Sequence, residues 1–399
     1  MMKPHKRLII AMVAMASISG CSAAGIDGDH ASTIDLSQLE TGNYQSVPRN
    51  ADEAKADDSG LAIEAVRMGA TMPVPYDVDP SYGFQSQNNP KFRVTPIIPM
   101  SLSRIEKEEF REFTKGLVVG WSTSGHRRLN STVGRQAFLY SFRFNTSSDA
   151  EAAMDRIISE QQRLPSPRNR VVSIPGFPNS RTNWDVTDSD SWMTHGAMLL
   201  GVRVVDLLGG PPTPDPSVDF TAKAYRKIIE MVASYVPTPN SEASTLAIDV
   251  DGILSRTLPG DQDRRLDGMP DGAVEPMQAA LAREHRPGST KPALLEAGVD
   301  LVSSEADTSV YRAKNAEAAD QLMIELLAPD ADYRRPIDGP RNLPVARCFE
   351  AKDSNVPSTV DNPVCYVAYD RYLARVEAFT VPDLLQRTAA QYKLLATSH

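Results

Sequence analysis

Metal-ligating side chains are scarce in this sequence, which has three cysteines and six histidines in 399 residues. No two histidines recur at the H-x-x-x-H spacing that places two imidazoles on one face of a helix. The cysteines have no histidine neighbours at the spacing of a zinc site. The segment Asp249-Val250-Asp251-Gly252 lacks the spaced oxygen ligands and the terminal glutamate of an EF-hand loop. We therefore predict neither a metal site nor a cofactor.

Positive charge is also in deficit, because 42 lysines and arginines face 51 aspartates and glutamates and leave a net charge of −9. An acidic surface is repelled by the phosphate backbone of nucleic acids. We therefore predict no nucleic-acid partner. The hydrophobic fraction of 41% is nonetheless large enough for folded cores, which argues against a disordered stalk.

The N-terminal apolar run, residues 8–18, has 11 residues, whereas a membrane-spanning helix needs about 20. A basic segment at residues 3–7 precedes the run, and Ile18-Ser19-Gly20-Cys21 ends it. This order predicts a signal peptide over residues 1–20. The last four residues resemble the lipobox of bacterial lipoproteins, which implies cleavage before Cys21 and a lipid on its thiol. The alternative is a plain secretory signal followed by an incidental cysteine.

Two cysteines remain once Cys21 is assigned to the lipid, namely Cys348 and Cys365. In an oxidising compartment an even remainder predicts one disulfide, which would close a loop of about 17 residues and contribute ~3 kcal/mol. Two free buried thiols are the alternative, because sequence spacing does not show that the two Cα atoms approach each other.

The two halves of the chain share an order of sequence features. Ala150-Glu151-Ala152-Ala153 recurs as Ala316-Glu317-Ala318-Ala319, at an offset of 166 residues. Gly176-Phe177-Pro178-Asn179 is matched by Gly339-Pro340-Arg341-Asn342, at an offset of 163. A period of this length is far too long for a solenoid. The matches instead predict a duplicated domain.

The predicted fold class is α+β, with two related domains that each hold an antiparallel or mixed sheet with helices packed on one face. Predicted helices over 220–235 and 381–395 end the two copies, and the proline-rich stretch 45–100 should lie outside the shared core. The predicted organisation is a signal peptide over 1–20, a flexible tether over 21–33, an N-terminal domain over 34–240 and a C-terminal domain over 245–399.

Two paired aspartates, Asp249 and Asp251, look like the first motif of haloacid-dehalogenase phosphatases, where they serve as nucleophile and general acid. The corresponding segment of the first copy, Asp35-Leu36-Ser37, lacks the second aspartate. The strand that this motif needs in front of it is also short. We therefore predict a helix-capping role for this segment in both copies.

The segment Gly120-Trp121-Ser122-Thr123-Ser124-Gly125 comes near the G-x-S-x-G elbow of esterases, but Ser124 stands where the second glycine belongs. His126 and His195 are available as bases, yet one sequence does not show which residues of a triad meet. A serine- and glycine-rich turn after a strand is the simpler interpretation. No catalytic residue is therefore predicted.

Four features of the sequence occur together, namely Ile18-Ser19-Gly20-Cys21, Asp249-Val250-Asp251-Gly252 before Leu254-Ser255-Arg256-Thr257, Val310-Tyr311-Arg312-Ala313, and the Cys348/Cys365 pair. In these features the chain resembles a family of actinobacterial envelope lipoproteins that carry a lipobox and two related domains of unknown function. The resemblance implies location and architecture, and no catalytic residues.

We expect a lipid-anchored binding or scaffold module on the extracytoplasmic face of the cell membrane. The anchor makes the membrane a partner, and an envelope protein or lipid is the further partner that this location suggests. The alternatives are an envelope ester hydrolase that uses Ser122 or Ser124, and a carrier of an apolar ligand.

Overall fold

The structure, a computed structural model, describes residues 34–55, 59–85, 114–130, 132–163, 170–207, 209–210, 213–260, 272–353 and 361–397. The predicted signal peptide and tether, with Cys21, lie outside the described residues. From Leu36 onward the chain forms one compact unit.

The first half contains a six-stranded antiparallel sheet with strand order β1-β2-β6-β5-β4-β3. Its strands are β1 Leu117–His126, β2 Arg135–Phe144, β3 Arg170–Val172, β4 Arg181–Asp185, β5 Asp188–His195 and β6 Met198–Asp206.

The second half contains a seven-stranded antiparallel sheet with strand order β10-β11-β12-β13-β9-β8-β7. Its strands are β7 Gly272–Pro276, β8 Leu301–Glu305, β9 Thr308–Arg312, β10 Arg334–Ile337, β11 Arg347–Ala351, β12 Val364–Tyr369 and β13 Tyr372–Glu377.

Helices flank both sheets. The α-helices of the described residues are α1 Ser59–Gly69, α2 Pro75–Val78, α3 Ser147–Arg163, α4 Asp215–Val232, α5 Met277–Ala280, α6 Pro287–Glu296, α7 Ala316–Leu327 and α8 Val381–Ala396. Short 3₁₀ helices lie at Leu36–Gln38, Ala51–Ala54, Ala243–Thr245, Leu281–Arg283 and Ala328–Asp330. None of these described helices combines the length and apolar character needed to cross a bilayer.

The two sheets have the same topology once the edge strand β7 is set aside. Strands β1 to β6 then correspond in order to β8 to β13, with α3 matching α7 and α4 matching α8. The pairing registers agree as well. Phe142 of β2 pairs with Leu199 of β6 in the first sheet, and Tyr311 of β9 pairs with Leu373 of β13 at the equivalent position of the second sheet. This shared order is the arrangement that the duplication predicts for the two halves.

The two alanine-rich helices begin in the same way. The Oγ1 atom of Thr146 accepts a hydrogen bond from the backbone N–H of Asp149 at 3.1 Å, and Oδ1 of Asn315 accepts one from Ala318 at 2.9 Å. These caps set an offset of 315 − 146 = 169 residues between the copies, as does the strand register. The offset of 166 suggested by the alanine repeat was wrong, since a run of alanines aligns almost as well when it is shifted by nearly one turn.

Each sheet is covered on both faces. Tyr140 and Trp192 pack with α3, whereas Leu139 and Val202 pack with α4. Because successive strand residues point to opposite faces, α3 and α4 lie on opposite sides of the first sheet. In the second sheet Tyr366 and its neighbours pack with α7. The ring of Tyr369, three residues along the strand, meets Tyr392 of α8 edge-on, with 5.8 Å between ring centroids.

The predicted α+β class with two related sheets is confirmed, with the refinement that helices pack on both faces. A second correction concerns α1, which falls in the stretch expected outside the shared core. Its Ala65 and Met68 are buried in the core of the first sheet, and Gly69 lies against the ring of Trp121. Small residues at helical spacing in α1 allow this close contact. The proline-rich composition of the whole stretch gives no indication of it.

The two halves meet along residues 82–85. Phe84 forms an isolated antiparallel bridge with His126 at the end of β1. On its other side, the backbone N–H of Gln85 donates to the carbonyl of His285 at 2.8 Å, and Gly288 donates to the carbonyl of Gly83 at 3.2 Å. This segment therefore joins the first sheet to the start of α6.

Candidate functional site

The serines of the esterase-like segment lie inside β1 and not in a turn. Ser122 pairs with Tyr140 of β2, and Ser124 pairs with Phe138. His126 lies on the same strand, but both of its ring nitrogens are buried without a hydrogen-bond partner in the part of the chain that the structure describes. A serine nucleophile needs a hydrogen bond to its base. The structure does not supply that pair.

His195 is no closer to this role. It is an exposed residue at the end of β5, and β2 and β6 separate that strand from β1. The structure therefore does not bring the two serines and the two candidate bases together as one site.

Asp249 caps its own loop. Its Oδ1 accepts from the backbone N–H of Leu254 at 2.8 Å, and its Oδ2 accepts from the backbone and the hydroxyl of Ser255. Asp251 forms an ion pair with Arg312 at 2.7 Å. Both carboxylates thus have structural partners. In the described ranges no group of three His, Cys, Asp or Glu side chains is placed to hold a metal ion.

The two cysteines outside the N-terminal segment stand directly opposite each other. Cys348 on β11 pairs with Cys365 on β12, their Cα atoms are 4.1 Å apart, and a disulfide joins them. Both side chains are buried. The antiparallel register therefore gives this pair the proximity that its spacing in the sequence does not show.

A polar cleft opens on the second sheet, on the face that α7 covers. We call it the C-terminal cleft; its cavity volume is about 40 Å³, and its mouth is open to solvent. Glu284, His285 and Arg286 line it from the segment before α6, and Asp330 lines it from the 3₁₀ turn after α7. The sheet contributes Tyr311, Tyr366 and Arg375 from β9, β12 and β13.

Charged pairs organise the walls of the C-terminal cleft. Nη2 of Arg286 lies 2.7 Å from Oδ1 of Asp330, and their side chains are 15% and 22% exposed. Arg375 pairs with Glu377 two residues along β13. The hydroxyl of Tyr311 donates to Oε1 of Glu284 at 2.8 Å. The walls therefore present both signs of charge at partly accessible positions.

Two polar atoms of the walls have neither a hydrogen bond nor an ion-pair partner among the described residues. Nδ1 of His285 and Nε of Arg375 are buried and make no hydrogen bond to any residue that the structure describes. Burial, reinforced by the positive charges of Arg375 and Arg286, lowers the pKa of His285 to about 3. His285 is therefore neutral at physiological pH. Buried polar groups are normally hydrogen-bonded, so a water molecule or a ligand in the cleft would complete the bonding of Nε of Arg375.

The phenols of the cleft stay protonated. Burial, with the negative charge of Glu284 next in size, raises the pKa of Tyr311 well above its usual range. Burial is also the main cause of the raised pKa of Tyr366. A protonated phenol donates a hydrogen bond, so Tyr366 can contribute a donor to the cleft.

The same place in the first sheet is filled by aromatic side chains. Trp192 is directly opposed to Gly201, and Tyr366 is directly opposed to Arg375. In each hairpin three further residue pairs lie between the opposed pair and the two-residue turn, so Trp192 and Gly201 are the counterparts of Tyr366 and Arg375. Trp192 fills the space over Gly201 and stacks on Tyr140, with 5.7 Å between ring centroids. The second copy thus holds an arginine and a phenol where the first copy is closed by tryptophan.

Sequence reasoning did not find the cleft. Its residues come from five separate segments, and none of them forms a motif by spacing. One signal was available, namely the replacement of Gly201 in the first copy by Arg375 in the second. This replacement can be recognised only when the two copies are aligned by the pairing of their strands. The offset of 166 taken from the alanine repeat does not give that alignment.

The fold defines a protein built of two related α+β halves, and comparison with protein families agrees. The N-terminal domain of the DUF7373 family, a domain of unknown function, matches residues 51–248, and the C-terminal domain of the same family matches residues 253–398. The chain therefore belongs to the DUF7373 family.

Two other comparisons give no functional information. Among solved structures, the extracellular domain of PknH from Mycobacterium tuberculosis matches 41% of this chain and 95% of that domain, at 9% identity and a TM-score of 0.28. A likeness this distant carries no argument about this chain. Comparison with curated proteins finds no match.

Proposed function

We propose that this protein is a lipid-anchored, extracytoplasmic binding module whose C-terminal cleft holds a small polar ligand. The N-terminal sequence supports the location, because a short apolar run is followed by small residues and Cys21. The buried disulfide between Cys348 and Cys365 fits an oxidising compartment.

One observation carries the binding role, namely the exchange of Trp192 and Gly201 for Tyr366 and Arg375 at equivalent positions. A charged residue in a sheet–helix layer costs stability unless it is paired and hydrogen-bonded. Arg375 is paired with Glu377, yet its Nε has no partner. A polar ligand in the cleft would supply that partner.

The two alternatives have less support. A carrier of an apolar ligand needs apolar walls, whereas charged and polar side chains form most of the lining of this cleft, beside Leu326 and Pro329. An ester hydrolase needs Ser122 or Ser124 bonded to a base, and the nitrogens of His126 make no such bond. Of the three candidates, the binding module has a site that fits it.

The test is calorimetric titration of the full-length protein in detergent with acetate, alanine and glycerol, which represent an anion, a zwitterion and a polyol. We expect at least one probe to bind the wild-type protein. The double variant Tyr366→Trp/Arg375→Gly copies the closed arrangement of the first half and should abolish binding.

The matched control is Arg335→Gln, which removes an exposed arginine on β10 that pairs with Glu350 outside the cleft. This control should bind as the wild type does. The binding role of the cleft is wrong if no probe binds, or if the double variant folds and still binds the same probe with unchanged affinity.

A further inference from the structure

This inference rests on the proposed function and concerns the chemical class of the ligand. From the charges of the C-terminal cleft we infer that it binds a free α-amino acid, with the carboxylate held by Arg375 and Tyr366 and the ammonium group held by Glu284 and Asp330. A ligand with an ammonium and a carboxylate group attached to the same carbon atom matches a cleft whose walls carry both positive and negative charges.

The balance of charge excludes simpler ions. Two arginines and two carboxylates line the cleft. A lone anion would meet Glu284 and Asp330 as well as the arginines, and a lone cation would meet Arg286 and Arg375. Like charges brought together at a binding site cost affinity, whereas complementary charges give specificity. A zwitterion places each of its charges against the opposite sign.

The carboxylate end is defined by the second sheet. Arg375 keeps 20% of its side chain exposed, and its pairing with Glu377 leaves other N–H donors of the guanidinium available. Tyr366 is its direct neighbour across the strands. A carboxylate beside these two side chains would accept one charge-assisted bond from the guanidinium and one from the phenol.

The ammonium end is defined by the segment before α6 and the turn after α7. The carboxylate of Glu284 already accepts from Tyr311 through Oε1, and it retains further acceptor capacity. Asp330 is 22% exposed beside Arg286. The neutral ring of His285, with Nδ1 unpartnered, adds an acceptor in the tautomer that carries its hydrogen on Nε2. An ammonium group has three donors for these acceptors.

Free amino acids are separated from peptides by geometry. In a peptide the terminal ammonium and carboxylate groups lie on different residues, so one end alone cannot satisfy both sets of charges. The cavity volume is only about 40 Å³ and its mouth is open to solvent, so the enclosed part of a ligand is limited to a few heavy atoms. Alanine is therefore the first probe, and the dipeptide Ala-Ala is the probe for a chain end.

The experiment is titration of the full-length protein with alanine, N-acetylalanine, alaninamide, Ala-Ala, acetate and glycerol. N-acetylalanine lacks the ammonium group and alaninamide lacks the carboxylate, so each should bind about tenfold more weakly than alanine or worse, as expected for the loss of a charged hydrogen bond. In Arg375→Gln the preference for alanine over alaninamide should disappear. In Asp330→Asn the preference over N-acetylalanine should shrink.

The outcomes separate this inference from the proposed function. If acetate, glycerol or Ala-Ala binds more tightly than alanine, the amino-acid inference is wrong and the cleft remains a polar binding site. If alanine binds no better than its two blocked forms, the inference is also wrong. If none of the six probes binds, both the inference and the binding role of the cleft are wrong. Circular dichroism of each variant shows whether it is folded.

Discussion

The indole of Trp192 lies so close over Gly201 that a Cβ atom on residue 201 would collide with the six-membered ring. The two residues are opposed on β5 and β6. Tyr140 pairs with Gly201 from the other neighbouring strand, β2, and its ring stacks on that of Trp192 with 5.7 Å between centroids. The first copy of the fold is thereby sealed at the point where the second copy opens into its cleft. This contact makes glycine a requirement at residue 201.

Gly201→Ala should destabilise the protein by about 1–3 kcal/mol, since the added methyl group must displace a buried ring in a close-packed core. Urea unfolding of the full-length protein measures the change. Gly83→Ala is the matched control, because a Cβ there meets only the carbonyl oxygen of Pro80, at 3.9 Å. Equal stability of the two variants would contradict the role of the Trp192 contact.

The parts of the fold that the sequence predicts are those with a local signal. Helices α3 and α7 follow from their apolar spacing and the polar residue before each one, and the repeat follows from their common place after a strand. The cleft has no local signal, because residues 284–286 and Arg375 are brought together by pairing between distant strands. Its chemistry therefore becomes visible only when the two copies are aligned by register.

The esterase-like segment shows a second limit. Residues 120–125 contain the glycines and serines that favour a turn, yet they form the middle of β1. Pairing with the aromatic residues of β2 outweighs the local preference, because tertiary context overrides strand propensity. A motif reading alone would have assigned catalysis to serines that pair along a strand.

Cys348 and Cys365 should resist alkylation in the native, unreduced protein and should react after reduction and unfolding. Their direct pairing on β11 and β12 puts the sulfur atoms within bonding reach. The double variant Cys348→Ser/Cys365→Ser loses the cross-link that closes this 17-residue loop. Its free energy of unfolding should be lower than that of the wild type by ~3 kcal/mol. Mass spectrometry after iodoacetamide treatment, together with melting curves, measures both effects.

A reductant supplies the control for the disulfide, because it should lower the melting temperature of the wild-type protein and leave that of the double variant unchanged. Alkylation of both thiols in the native protein without reductant would show that the pair is not oxidised.

Acid should destabilise the protein through His126. Burial lowers the pKa of this side chain to about 4, against about 6.5 in the unfolded chain. Protonation therefore favours the unfolded state, so the full stability is present above pH 6.5 and is lost progressively as the pH falls toward 4. The loss attributable to His126 between pH 7 and pH 4.5 should be roughly 2–3 kcal/mol.

His126→Leu should remove this part of the pH dependence, because leucine does not titrate and leaves no unpartnered ring nitrogens. Denaturant unfolding at pH 7 and pH 4.5 gives the comparison. His285 retains its own acid sensitivity in the variant, since its pKa is lowered to about 3. His195→Leu, at an exposed position, is the control and should keep the wild-type pH dependence. An unchanged slope in His126→Leu would mean that another group causes the acid loss.

Cys21 should carry a lipid that holds the protein at the membrane. The residues before it have the order of a signal peptide, and small residues directly before a cysteine are the pattern that a lipoprotein-processing pathway reads. The wild-type protein, expressed in a bacterial host, should partition into the detergent phase, and mass spectrometry should find a diacylglyceryl mass on a cleaved N-terminal cysteine. Cys21→Ser should lose that mass and either leave the membrane fraction or keep residues 1–20 attached. The control is Ser22→Ala, which changes the residue next to Cys21 and should behave as the wild type. It shows whether the loss of the lipid in Cys21→Ser is due to the missing thiol or to any substitution near the cleavage site. If the wild type and Cys21→Ser partition identically and neither carries a lipid mass, the anchor is absent, and the membrane location must be abandoned even if the cleft binds its ligand.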